Sequence, residues 1–580
     1  MSQPQLDVHP ASTVSADDAD VSSHPPENAL PFSTRVASAL RHPVVLGLAL
    51  AGCGLALVQT GSSARGQEGG IMRISLAPAA GLDHVDPALS FTQPGWALLD
   101  ATCARLMTYP DKAPPAGFRL QPEVAASYRV SNDLKTYTFT LRKGFRFSNG
   151  APVRASAFAH AIKRLLQPFI LSPGAQHVQD IVGAKDVLDG RSTAPRGVVA
   201  KGHTLVVRFK KAAPDFPART AMPFFCAVPP ELPPSGEGVG AFPSAGPYFV
   251  QEYRPGERVV IRRNQHYGGT RKVHLDGFDV DLRGGSPQDM IRRIDRNEAD
   301  WGHSLAPVFM DPGLGLAAKY GINNDRFFVK PGLTLRMLAF NASRPLFRNN
   351  PKLRQAINFA LDRQALVTST GGPIAGRPTD QYLPHGIPGF RDSKVYPLEG
   401  ADLPHARTLA RGNLRSAKAV FYTTSAAPAI QVAQLVAQQL ARIGLELDIR
   451  PIPLHIASAA YLEKLAARGT DWDLALVVWT PNIPEPHAYL NQMLENQFLD
   501  GRTLTGFRSR IASRELRRAA RTLQAQGRAQ AYADLDAFLA RTEAPLAALN
   551  VISEVTLVSD RVGCIVLRPV LDLAVACLKS

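Results

Sequence analysis

Residues 476–490 read LVVWTPNIPEPHAYL, an apolar run that breaks at an indole into three prolines, an amide and a carboxylate. The groups that carry chemistry are Trp479, Thr480, Asn482 and Glu485. An aromatic face beside a hydroxyl and an amide holds a polar molecule by stacking and neutral hydrogen bonds. It does not pair a nucleophile with a base, so the chemistry it suits is binding rather than bond making. A second aromatic pair, Phe91 and Trp96, lies in the turn-rich stretch LDHVDPALSFTQPGW at 82–96. Trp96 is the candidate for a wall opposite Trp479, with core packing the competing reading for both indoles. Asn482 also suits a turn cap, and Glu485 is a secondary candidate.

Enzyme signatures are missing. No stretch matches GxxxxGK[ST], HExxH or GxSxG. Gly236, Gly238 and Gly240 in GEGVG neither follow a strand nor open a helix, so they do not build a dinucleotide site. The fourteen histidines lack metal-ligand spacing, and none of the five cysteines forms a C-x-x-C pair. His84 and Asp86 read as part of a solvated loop. The expectation is a binding protein without catalytic residues, cofactor or metal.

Elements must position these groups, and 580 residues exceed what one hydrophobic core supports, so two or three domains are expected. The net charge of +16 is spread over single and paired basic residues such as Arg262-Arg263 and Arg292-Arg293. It forms no stripe interleaved with aromatics, so nucleic acid is not an expected partner. Residues 1–34 carry Asp7, Asp17, Asp18, Asp20 and Glu27 without a Lys or Arg and read as a disordered leader. Residues 35–68 read as an export signal: Arg35 and Arg41, an apolar run from Pro43 to Val58, then small polar residues. The run is shorter than the roughly 20 residues of a spanning helix, with a retained anchor as the alternative. LAGC, ending at Cys53, looks like a lipidation signal, and cleavage after Ala64 competes with it. Cys103, Cys226, Cys564 and Cys577 remain, an even number suited to an oxidising compartment. Buried free thiols are an equally open reading for Cys103 and Cys226.

After Gly70 an alternating strand, IMRISLAPA, opens the first half. Tyr137, Phe139 and Leu141, then Phe145 and Phe147, predict a strand pair around a Lys-Gly turn. A helix is predicted at 155–166, and a hairpin turn at Pro255-Gly256. The second half changes to strand 418–423, a helix ending at Gly444, then strand LELDIRPI: a β-α-β unit. A further helix precedes DLALVVW, apolar on both faces and hence central in a sheet. Ligands in open α/β sheets bind beyond the carboxyl ends of strands, which is where the Trp479 loop falls. A helical pair at 509–542 and a strand-rich tail follow.

Four stretches in order carry a resemblance: 120–168, with LQPEVAASYRVSNDLKTYTFTLRKGFRFSNG; 244–267, SAGPYFVQEYRPGERVVIRRNQHY; 340–367, FNASRPLFRNNPKLRQAINFALDRQALV; and the Trp479 loop. The chain resembles family 5 extracellular solute-binding proteins, the dipeptide-, oligopeptide- and nickel-binding receptors of bacterial ABC importers. The resemblance implies an α/β, two-lobed clamp of type II, three-domain, cluster C-like form. Domain I would collect 69–115, 212–335 and 546–580, domain II would be the insert 116–211, and domain III would span 336–545. It implies a periplasmic or cell-surface monomer that delivers a small solute, peptide-like or another polar, uncharged ligand, to an ABC permease and ATPase, tethered by lipid on Cys53 or by an N-terminal anchor. Peptide-binding members place an aspartate three residues after the tryptophan, where it pairs with the ligand's α-ammonium group. Here that position is Asn482, and an arginine expected three residues before the tryptophan is Leu476. Both departures argue against free peptide termini as the main handles and leave a polar, uncharged, aromatic-walled site suited to sugars, amides or capped peptides. The rival reading is an envelope interaction protein on the same fold that binds a polypeptide or anionic polymer.

Overall fold

The computed structural model describes residues 66–76, 82–303, 315–453, 459–467, 469–495, 503–566 and 572–579. The acidic leader and the apolar run with Cys53 lie outside them.

Strand Leu474–Trp479 is buried at each position. The reason is its place in a six-stranded sheet, in the order Gly376–Pro378, Leu546–Leu557, Phe327–Phe340, Leu474–Trp479, Lys418–Thr424, Glu446–Ile452. Lys418–Thr424 runs parallel to both neighbours, and helix Ala427–Ala441 makes the crossover that a parallel pair requires. One face of the sheet sends Leu335, Met337, Val477 and Trp479 into a core with Tyr489 and Leu535. The other sends Leu338, Phe340, Leu474 and Leu476 against helices Pro351–Ala360 and Ala427–Ala441. Two-sided cover explains why the strand lacks the polar alternation of a half-exposed one.

The first half of the chain builds a five-stranded mixed sheet, Trp301–His303, Ile71–Leu76, Gly277–Asp281, Arg258–Arg263 and Tyr248–Arg254. The last two strands flank the Pro255-Gly256 turn. A four-stranded antiparallel sheet, Ala125–Val130, Thr136–Leu141, Thr204–Arg208 and Val198–Lys201, packs on helix Ala155–Leu165. The two longest strands cross between cores. At one end Phe327 and Leu557 pack with Met290 and Ile294, and at the other Met337 and Leu546 belong to the six-stranded sheet. Their ladder is interrupted between Pro331 and Leu335.

Two expectations need correction. Thr136–Leu141 pairs with Ala125–Val130 and Thr204–Arg208, not with the segment around Phe145 and Phe147. Ser131 and Asp133 close the upstream turn by hydrogen bonds, and the distant strand takes the remaining edge. Asp86 is not solvated: its carboxylate is fully buried and accepts two hydrogen bonds, of 2.9 and 2.6 Å, from Arg164. Of the two readings open for Cys103 and Cys226, pairing holds: they bond to each other, and Cys564 bonds to Cys577.

Candidate ligand-binding site

Successive residues of a strand face opposite sides, so Trp479 and Thr480 cannot both face one ligand. Register decides between them. Trp479 stands opposite Leu335, on the face that packs with Tyr489. Its indole is 7% exposed, and its N–H donates to the Ala488 carbonyl at 2.9 Å. Thr480 is exposed on the other face and shares a 2.9 Å hydrogen bond with the Thr334 hydroxyl.

Beyond Thr480 the loop leaves its own sheet. Ile483 and Ala488 belong to the core that holds Val124, Phe158 and Phe225 of the first half. Asn482 directs its amide nitrogen to Nε2 of His177, 3.5 Å away. Glu485 immediately precedes helix Pro486–Leu494 and is buried, its side chain making no capping hydrogen bond but lying 3.9 Å from Arg528 and accepting a hydrogen bond from Tyr109. Burial pushes the Glu485 carboxyl up, against the pull of Arg528. Its neighbour His487 lies 3.5 Å from Asp215, which also takes two 2.7 Å hydrogen bonds from Arg219. Burial alone would raise the Asp215 carboxyl, but Arg219 and His487 outweigh it and hold it below the usual carboxylate range. His177 is driven the other way for a base: burial, reinforced by Arg219, lowers it to about 3, so the ring is neutral.

The aromatic residues meet at Phe224. Its ring lies 5.6 Å from Trp96, edge to face, 6.3 Å from Phe91, stacked, and 5.8 Å from His177. Trp96 is 9% exposed and its N–H donates to the Ser90 carbonyl at 3.0 Å, whereas Phe91 is 47% exposed. Asn482, Phe91 and Trp96 are thus brought together through His177 and Phe224. Trp479 and Glu485 stand behind them as buried supports, and Thr480 opens on its own side of the loop. Phe224 is itself a core residue, and nothing local in the sequence marks His177, Tyr109, Asp215 or Thr334 as its companions at the site. Their joint position depends on contacts between distant segments, and no local spacing announces it.

A polar loop that leaves one α/β lobe to dock on another defines a clamp-type binding protein. Residues 119–499 match the family described as "Bacterial extracellular solute-binding proteins, family 5 Middle", and the chain belongs to that family. It is the extracytoplasmic substrate-binding component of an ABC importer, delivers captured solute to permease and ATPase, and is not an enzyme. The oligopeptide-binding protein OppA of Bacillus subtilis is 24% identical over 392 residues, covering 64% of this chain and 69% of that one. The probable D,D-dipeptide-binding periplasmic protein DdpA of Escherichia coli is 24% identical over 446 residues, 75% of this chain and 79% of its own. Among solved structures, the clavulanic acid biosynthesis oligopeptide binding protein 2 aligns with a TM-score of 0.77 at 22% identity, over 89% of this chain and 96% of that one. The unliganded open form of the murein tripeptide binding protein MppA aligns at 0.72 and 20% identity, over 89% and 99%. The reading as an envelope interaction protein is not favoured by these relatives.

Proposed function

We propose that the transported solute is peptide-like and is held where Asn482 of one lobe meets His177 of the other. That contact is the observation that carries the reading, because it joins the two lobes through polar side chains. Relatives named for oligopeptides and a dipeptide support the ligand class. Thr480 and Asn482 supply neutral hydrogen bonds, and the exposed ring of Phe91 supplies a stacking face. Trp479, Trp96 and Glu485 position the loop and the wall from behind. In this reading domain III is 336–545, domain II is 116–211, and domain I gathers 69–115, 212–335 and 546–580. The two long strands are the hinge, and their broken ladder near Pro331 is where they bend. Ligand preference for the closed arrangement drives closure. The tether is lipid on Cys53 or an uncleaved N-terminal run, a reading supported by LAGC.

Native mass spectrometry tests the ligand class. The full chain, purified gently from an exporting host, is weighed before and after denaturation. A co-purified mass that fragments as a peptide is expected, and a released sugar or metal complex would refute the proposal. Failure of a Cys53→Ser variant to lose membrane association would exclude the lipid tether.

A further inference from the structure

The strand pairing that buries Trp479 brings another residue to the open side of the site. Arg336 lies opposite Val478 on one side and Asn550 on the other. Directly opposed residues in antiparallel strands share a face, so Arg336 lies on the same face as the hydrogen-bonded Thr334 and Thr480. Along this face exposure falls in order: Thr480 is exposed, Arg336 is half-buried, and Leu338 and Leu476 are fully buried. Arg336 is therefore the first side chain inward from the interlobe loop.

Its guanidinium has neither a hydrogen bond nor an ion pair among the described residues. Beside it, the side-chain amide nitrogen of Asn550 is buried without a partner too. Two neighbouring donors without an acceptor are costly in a half-buried place unless an anion completes them. Among the described residues no acid does so. Burial is the sole influence on Arg336, bringing it to about 10, and the sole influence on Glu554 of the facing strand, pushed up to about 7. Neither charge acts on the other, and at neutral pH Arg336 stays cationic.

We propose that Arg336, with the Thr334 and Thr480 hydroxyls beside it, anchors a carboxylate of the bound solute. The planar fork of arginine matches a carboxylate through two parallel hydrogen bonds, which an ammonium cannot reproduce. The proposal rests on the peptide-like reading and narrows it. With Asn482 in place of a charged group, the amino end is held weakly and the acid end becomes the principal handle. The carboxylate is the chain terminus or an acidic side chain.

The test uses the full-length protein and three pools of short synthetic peptides: free acids lacking Asp and Glu, the same sequences as C-terminal amides, and amides with one Glu added. Calorimetry is expected to give on the order of ten- to a hundredfold tighter binding for the free acids than for the plain amides. Arg336→Gln should abolish that preference, and Arg336→Lys should restore part of it. Tight binding of the Glu-containing amides would show that a side-chain carboxylate occupies the anchor, and tight binding of the free acids alone would assign it to the terminus; both support the anchor. Equal affinity of all three pools for the unaltered protein would overturn the assignment and leave the peptide reading standing. Binding of none of the three pools would overturn the peptide reading itself, and the anchor with it. The acid and amide comparison needs no variant, so it stands even if Arg336→Gln fails to fold.

Discussion

His177 makes the junction of the lobes measurable through pH. Its ring is 6% exposed, packed on Phe224 beside Arg219, with Asp215 close and the Asn482 amide 3.5 Å away. An unfolded histidine titrates near 6.5, and this one is lowered to about 3. Between those values the unfolded chain binds the extra proton, so stability falls as the pH drops below about 6.5. With one pKa unit equal to about 1.4 kcal/mol, the loss at pH 5 relative to pH 8 is about 2 kcal/mol. Other groups oppose it. Asp536 and Glu554 are pushed up to about 7 by burial, so they favour the folded state as the pH falls from 7 towards 4. The bare profile of the protein is therefore a mixture, and a difference is the quantity to measure. Urea unfolding of the unaltered chain and of His177→Gln at pH 8 and pH 5 isolates the histidine, since glutamine keeps a polar partner for Asn482 and does not titrate. The gap between the two proteins should change by about 2 kcal/mol in favour of the variant at pH 5. Identical slopes would mean that His177 is solvated in solution and that the Asn482 contact does not form.

Three other substitutions separate support from contact. Trp479→Ala should cost about 3–5 kcal/mol in urea unfolding, as for a buried aromatic, whereas Thr480→Val should stay within about 1 kcal/mol and weaken solute binding. The reverse pattern would put the indole on the ligand. Cys103→Ser with Cys226→Ser removes a bridge between residues 123 apart and should lower stability by about 2–5 kcal/mol in urea unfolding under non-reducing conditions. Asn482→Asp should raise affinity for peptides with a free amino end by about ten- to a hundredfold and leave N-acetylated peptides unchanged, as calorimetry would read directly.

The legible parts of this chain were those written in local periodicity. LALVVW announced a central strand because each position is apolar, and Gly444 marked the end of a crossover helix whose flanking strands run parallel. The partner of Thr136–Leu141 was not legible, because strands 125–130 and 204–208 arrive from either side and no local pattern chooses between them and Phe145. The Asp86–Arg164 pair and the cysteine pairings were hidden for the same reason. The placement of the site residues was legible only in part. Period two guarantees that Trp479 and Thr480 face apart, but it does not say which of them faces the core. A tryptophan beside a polar turn invites the choice of the aromatic as the contact, and pairing with Leu335 reverses it. The same register promotes Arg336, a lone basic residue in the apolar run LTLRMLAF. Its presence is visible in the sequence, but its lack of a partner is a property of the assembled sheet. Trp479 has its hydrogen bond within the chain, and among the described residues Arg336 has none, which is the difference that the acid and amide comparison tests.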